Sequence, residues 1–230
     1  MRCVLGLSEG VVTGAADGYA RMAGKPAVTL LHTGPGLANG LANLHNARRA
    51  RSPMVNVVGD HATYHLQHDA PLTSDIEGLA RPMSHWVGRI ADAGDLRART
   101  EAAIRAALTG AGGIATLILP ADAAWSAAIG GTPTAIALPQ PDPVDAGRVD
   151  AAARALANGL PTTILVTGTA LRAGVLEMLD RIAQKTGARV MAQQANGRMQ
   201  RGAGRVALDR VPYVIDQALD SFAQTAQLIL

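Results

Sequence analysis

The sequence has little with which to cross-link, cross a membrane or stack on bases. Its single cysteine, Cys3, cannot close an internal disulfide, which predicts a reducing, cytoplasmic home. Aromatic residues make up only 3% of the chain, leaving few platforms for nucleic-acid bases. Lysine occurs only at Lys25 and Lys185, so the net charge of +3 rests on arginine. The densest basic stretch, Arg48-Arg49-Ala50-Arg51, reads as a solvated helix end complementing the dipole rather than as a nucleic-acid footprint. Apolar runs such as Ala115–Leu119 and Leu228–Leu230 fall far short of the roughly 20 residues a membrane span needs. No basic start leads into an apolar stretch and a small-residue cleavage site, so no secretory signal is expected.

What is present suits a folded α/β protein. Apolar residues are 48% of the chain and charged ones 17%, which excludes disorder. A length of 230 residues allows one large or two modest domains. Strand-like runs at Arg2–Leu7, Ala27–Leu31, Met54–Val58 and Gly113–Leu119 alternate with helix-like segments at Ser8–Met22, Leu37–Arg49 and roughly 95–109. Strict alternation predicts parallel sheets with helices on both faces. Prolines and glycines crowd the stretch from Ser126 to Asp145, a linker texture. Alternation then resumes with helices at Ala146–Asn158, Ala173–Lys185 and Tyr213–Phe222 and strands at Thr162–Val166, Arg189–Ala192 and Gln227–Leu230. The expected organisation is a first α/β domain over 1–128, a connector over 129–145 and a second α/β domain over 146–230. Both ends lie in strand-like runs, which reads as part of a longer protein.

Two places could carry chemistry. Glu9 stands at a strand-to-helix junction, where a helix N-terminus stabilises a carboxylate and where open α/β sheets place ligands. On spacing alone an ordinary helix-start glutamate is the simpler reading. In Leu30-Leu31-His32-Thr33-Gly34-Pro35-Gly36, a strand runs into a glycine-rich turn and a helix, a geometry that exposes backbone N–H groups. Gly34, Gly36 and Gly40 miss the spacing of a nicotinamide-dinucleotide fingerprint. His32 is by itself a core histidine or an acid–base group. His61, His65 and His68 would share one helical face, but Pro71 and the polar surroundings favour a loop over a metal site.

Taken in order, Glu9, then Gly14-Ala15-Ala16-Asp17-Gly18-Tyr19-Ala20-Arg21, Pro26, Gly34-Pro35-Gly36 with Asn39, Ser52-Pro53, Gly59-Asp60 and Arg81-Pro82 resemble the pyrimidine-binding domain of thiamine-diphosphate enzymes. The group is that of acetolactate synthase large subunits and benzoylformate decarboxylases, and Val149–Leu230 is similar to their central domain. The resemblance implies that Glu9 hydrogen-bonds the cofactor's aminopyrimidine and promotes its activation. It also implies cofactor contacts for Gly34, Pro35, Gly36 and Asn39, and a 2-oxo acid as substrate. His32 matches an active-site histidine of benzoylformate decarboxylases, and Pro71-Leu72 stands where acetolactate synthases carry Phe-Gln.

The family holds the diphosphate through Mg²⁺ on a Gly-Asp-Gly motif of a third domain, a triplet that does not occur here. No metal ligand is therefore expected in this chain, FAD is left open, and a homodimer or homotetramer with its site between subunits is implied. A catalytically inactive module pairing with a complete subunit is the alternative.

Overall fold

A computed structural model describes residues 2–127, 135–138 and 140–230. The connector expected over 129–145 falls partly outside the described residues. The chain divides into two compact units, Met1–Gln140 and Pro141–Leu230.

The first unit contains helices α1 (Glu9–Ala23), α2 (Thr33–Arg49), α3 (Ile76–Ala80), α4 (Leu96–Leu108) and α5 (Ala121–Trp125). Its strands are β1 (Ala27–His32), β2 (Met54–Asp60), β3 (Trp86–Arg89) and β4 (Ile114–Pro120), in the order β1-β2-β4-β3. Every pairing is parallel, as the alternation of elements predicts. Ala27, Leu31, Met54, Val58, Ile114 and Ile118 meet Ala16, Ala20, Leu37 and Leu44 of α1 and α2 on one face. Val55, Ala115 and Leu117 meet Ala103 and Ala107 of α4 on the other. The central strands are thus buried on both sides, which explains their near-continuous apolar character. One polar row crosses them. Thr29 Oγ1 donates to Asn56 Oδ1 at 2.8 Å, Asn56 Nδ2 donates to Thr116 Oγ1 at 3.4 Å, and Thr116 meets Ser84 Oγ at 2.8 Å.

The strand expected at Arg2–Leu7 does not form. Its residues run without strand pairing and leave Val4, Leu5 and Leu7 at 80%, 88% and 95% exposure. A strand exists only through its ladder, and apolar alternation cannot supply a neighbour. Helix α2 begins four residues earlier than Leu37, so Gly34-Pro35-Gly36 forms its first turn and not a preceding loop. Proline is tolerated there because the first N–H groups of a helix have no intrahelical acceptor. Strand β3, the 3₁₀ segment Thr63–His68 and the short helices α3 and α5 lie beyond the elements expected from the sequence.

The second unit holds helices α6 (Ala146–Ala157), α7 (Ala173–Thr186) and α8 (Ile215–Phe222). Strands β5 (Thr162–Val166), β6 (Arg189–Ala192), β7 (Asp209–Arg210) and β8 (Gln227–Ile229) form a second parallel sheet, ordered β7-β6-β5-β8. Helix α8 starts at Ile215, two residues after the expected Tyr213. Ile164, Val166, Leu171, Leu176 and Ala192 make this unit's core. Among the described residues no helix is long and apolar enough to cross a membrane.

Candidate active site

In a parallel sheet the helix before a strand starts at the end where that strand finishes. The N-termini of α1 and α2 therefore lie with the strand ends His32, Asp60, Arg89 and Pro120. Open α/β sheets bind ligands at this carboxyl edge.

Helices α1 and α2 are locked together by polar contacts near that edge. Thr13 Oγ1 donates to the Glu9 carbonyl at 2.8 Å within α1 and lies 3.2 Å from the Gly40 carbonyl of α2. Asn43 Nδ2 donates to the Gly10 carbonyl at 2.6 Å. The close approach needs Gly40, since a Cβ there would come within 2.8 Å of Thr13 Cγ2. This packing brings Glu9, in the first turn of α1, against the second turn of α2. Asn39 Nδ2 donates to Glu9 Oε2 at 3.2 Å. A Cβ on Gly36 would stand 3.4 Å from Glu9 Oε1, so the bare glycine face leaves the carboxylate its place.

Three of the expected residues, Glu9, Gly36 and Asn39, thus converge. Gly34 faces a different neighbour: a Cβ there would fall 2.3 Å from Ser74 Cβ, so the segment around Ser74 lies directly on the turn. Pro35 is exposed on the outside of that turn. His32 occupies the N-cap position of α2, exposed and making no side-chain cap bond. It shares the carboxyl edge with Glu9 but no hydrogen bond joins the two side chains.

The sequence reading missed several features here. Thr33, between His32 and the glycines, has φ 55, a left-handed backbone that costs a β-branched residue about 1–3 kcal/mol. It is 2% exposed, and its Oγ1 has no partner. Asp60, its side chain 1% exposed, pairs with Arg89 at 2.7 Å, and Arg89 reaches Glu77 at 3.5 Å. Gly59-Asp60 marked a strand end in the sequence, but nothing local identified Arg89 as the partner. Asp17 and Ser52, both part of the family-like pattern, are bonded to each other through the Ser52 hydroxyl, with Arg21 Nε on Asp17 at 2.7 Å. Their role is to hold α1 on the loop before β2.

The histidines form a tilted row, with ring centroids 5.7 Å apart for His61–His65 and 5.5 Å for His65–His68. Thr63 anchors the start of that segment by donating its backbone N–H to Asp122 at 3.1 Å and its hydroxyl to the same carboxylate. These bonds, the hydroxyl's foremost, hold Asp122 below the usual aspartate value. Among the described residues no group of three His, Cys, Asp or Glu side chains is placed to hold a metal.

Such an edge, with a carboxylate set against a glycine at the carboxyl ends of the strands, lies where open α/β sheets place their ligands. Residues 1–79 match the family model described as thiamine pyrophosphate enzyme, N-terminal TPP binding domain. The whole chain is 51% identical to a Mycobacterium tuberculosis protein named as a candidate acetolactate synthase large subunit, IlvX, and spans 44% of its length. Over 107 residues, 46% of this chain and 20% of the relative, it is 36% identical to a Pseudomonas aeruginosa benzoylformate decarboxylase. In three dimensions it resembles a candidate thiamin diphosphate-dependent enzyme from Mycobacterium smegmatis, with a TM-score of 0.83 and 26% identity over 98% of this chain and 44% of that one. A Rhodococcus jostii thiamine diphosphate-dependent 4-hydroxybenzoylformate decarboxylase matches with TM-score 0.73 and 25% identity, over 83% of this chain and 37% of its own.

Proposed function

We propose that this chain supplies the pyrimidine-binding half of a thiamine-diphosphate-dependent decarboxylase or carboligase acting on 2-oxo acids. The observation that carries the reading is the Glu9 carboxylate held by Asn39 and lying over Gly36. A carboxylate at the carboxyl edge of the sheet, fixed by an amide donor, suits a hydrogen-bonding edge of a flat, nitrogen-bearing ring. Thiamine diphosphate, when bound, supplies the electron sink that 2-oxo acid decarboxylation requires.

The chain's own residues have plain tasks. Glu9 would accept a proton-bearing ring nitrogen, and Asn39 keeps the carboxylate aimed while it does so. Gly36 leaves the Glu9 side chain room to lie over the start of α2. His32, exposed at the end of β1, is the group to give or take a proton on the substrate side.

The diphosphate end of the cofactor calls for a metal-binding motif. The Gly-Asp-Gly triplet does not occur, and no described acidic or histidine group is arranged for Mg²⁺. The reading therefore includes a second subunit or further sequence that carries Mg²⁺, in a dimer or tetramer. That same observation favours, as a second reading, a binding module that is inactive alone and pairs with a complete subunit.

Two measurements test these readings. Thiamine diphosphate with Mg²⁺ should quench Trp86 or Trp125 fluorescence in the assembled protein, whereas a nicotinamide dinucleotide should not. Glu9→Gln should abolish 2-oxo acid turnover under the first reading and leave it unchanged under the second.

A further inference from the structure

Thr33 works against the fold twice. Its left-handed φ of 55 would suit glycine, and its hydroxyl is buried without a partner. Glycine at this position would relieve the strain, and valine would remove the unbonded hydroxyl, so folding alone does not account for threonine. Strain and unpaired polar atoms that persist together mark a functional constraint.

The surroundings identify what would satisfy the hydroxyl. Thr33 opens α2, a helix of 17 residues whose N-cap gives no side-chain bond and whose first turn holds no acid. Its first N–H groups have no intrahelical acceptor, and the helix dipole favours negative charge beside them. On the other side lies the segment carrying Thr73, whose own Oγ1 is buried without a partner, next to Ser74 packed on Gly34. Thr33 and Thr73 are thus the chain neighbours of Gly34 and Ser74, the two residues that meet at this helix start. The turn contains neither arginine nor lysine, which suits a monoanion held by dipoles better than a phosphate dianion. Glu9, the neighbouring acid, is already bonded to Asn39.

We infer that the first turn of α2 is the subsite for the substrate's carboxylate, with the Thr33 hydroxyl as its principal donor and Thr73 as the second. The identity of the acid as a 2-oxo acid rests on the thiamine-diphosphate reading above; the carboxylate site does not. His32, one residue before Thr33, then stands beside the carbon that loses the carboxylate.

Three variants separate the causes. Thr33→Val keeps the shape and the strain but removes the hydroxyl, Thr33→Ser keeps the hydroxyl, and Thr33→Gly relieves the strain. Binding to the 230-residue chain would be measured by calorimetric titration with benzoylformate, its methyl ester, pyruvate and acetate, alongside the melting temperature. Benzoylformate or pyruvate should bind and the ester should not. Thr33→Val should weaken that binding about tenfold, the effect of one hydrogen bond to a charged group, while melting no lower than the wild type. Thr33→Ser should bind as the wild type does, and Thr33→Gly should melt higher.

Equal carboxylate affinity in the wild type and Thr33→Val overturns the inference, as does failure of the wild type to bind any of these carboxylates. If acetate binds and Thr33→Val loses it while neither 2-oxo acid binds, the carboxylate subsite stands and the 2-oxo acid reading falls.

Discussion

The side-chain amide of Asn39 donates to the carboxylate of Glu9 at 3.2 Å, across a sequence separation of 30 residues. It joins the first turn of one helix to the second turn of the next, so the carboxylate's direction depends on how α1 and α2 pack. A single methyl at Gly36 would come into van der Waals contact with Glu9 Oε1, at 3.4 Å, and hold the carboxylate on one side of its present range. Gly36→Ala should lower kcat/KM for thiamine-diphosphate-dependent decarboxylation by about tenfold, a modest share of what an ångström of misplacement costs. The melting temperature should shift little. Steady-state kinetics with and without added cofactor would show it.

The Asp60–Arg89 pair ties the end of β2 to the end of β3 with the carboxylate almost wholly buried. Arg89→Leu leaves that charge without its partner and should cost about 3 kcal/mol in urea unfolding. Replacing both, as Asp60→Asn with Arg89→Leu, should recover part of the loss.

His85 gives the first unit a pH dependence. Burial first, and then the charges of Arg48 and Arg51, hold its pKa below the ordinary histidine value. Its Nδ1 accepts the Ile114 N–H at 3.0 Å, a bond that protonation at that nitrogen would break. The unfolded chain therefore takes up the proton first, near pH 6.5, and stability falls as pH drops below that value until the folded pKa is passed. The urea midpoint should decline between pH 7.5 and 5.5, with a smaller decline in His85→Gln. An equal decline in both proteins would assign the effect to other groups.

Ser52 and Asp17 offer a contrast between family pattern and catalysis. Their bond is buried and remote from Glu9 in role, so Ser52→Ala should cost about 2 kcal/mol of stability, typical of a hydroxyl on a charged acceptor. Turnover per folded molecule should not change. Comparing activity with the folded fraction from circular dichroism would separate the two.

Helices such as α1 and α7 and strands such as β2 and β5 were legible because their apolar spacing and bounding turns agree with their tertiary places. Arg2–Leu7 misled for the converse reason: its pattern is strand-like, but pairing is a property of neighbours. Trp86–Arg89 is only four residues long and only partly buried, too short for a period to register. Glu9 drew attention from its place at a helix start and Asn39 from the resemblance alone, because spacing does not distinguish either from an ordinary helix residue. Thr33 was invisible, since a left-handed backbone at a threonine contradicts the local preference a sequence reader relies on. Arg89 stayed hidden because an ion pair between two strand ends leaves no trace in either segment.

The polar row through Thr29, Asn56 and Thr116 bears on how the chain finds its structure. Strands buried on both faces have little in their apolar pattern to say which residue should stand beside which, so slipped alignments cost them comparatively little. Asn56 is 0% exposed, and a slip by one position would separate its amide from Thr29 and Thr116 and leave it stranded in hydrocarbon. The row thus acts as a tooth that lets the three strands mesh in one alignment. A chain with leucine at that position could gain stability while losing the uniqueness of its fold.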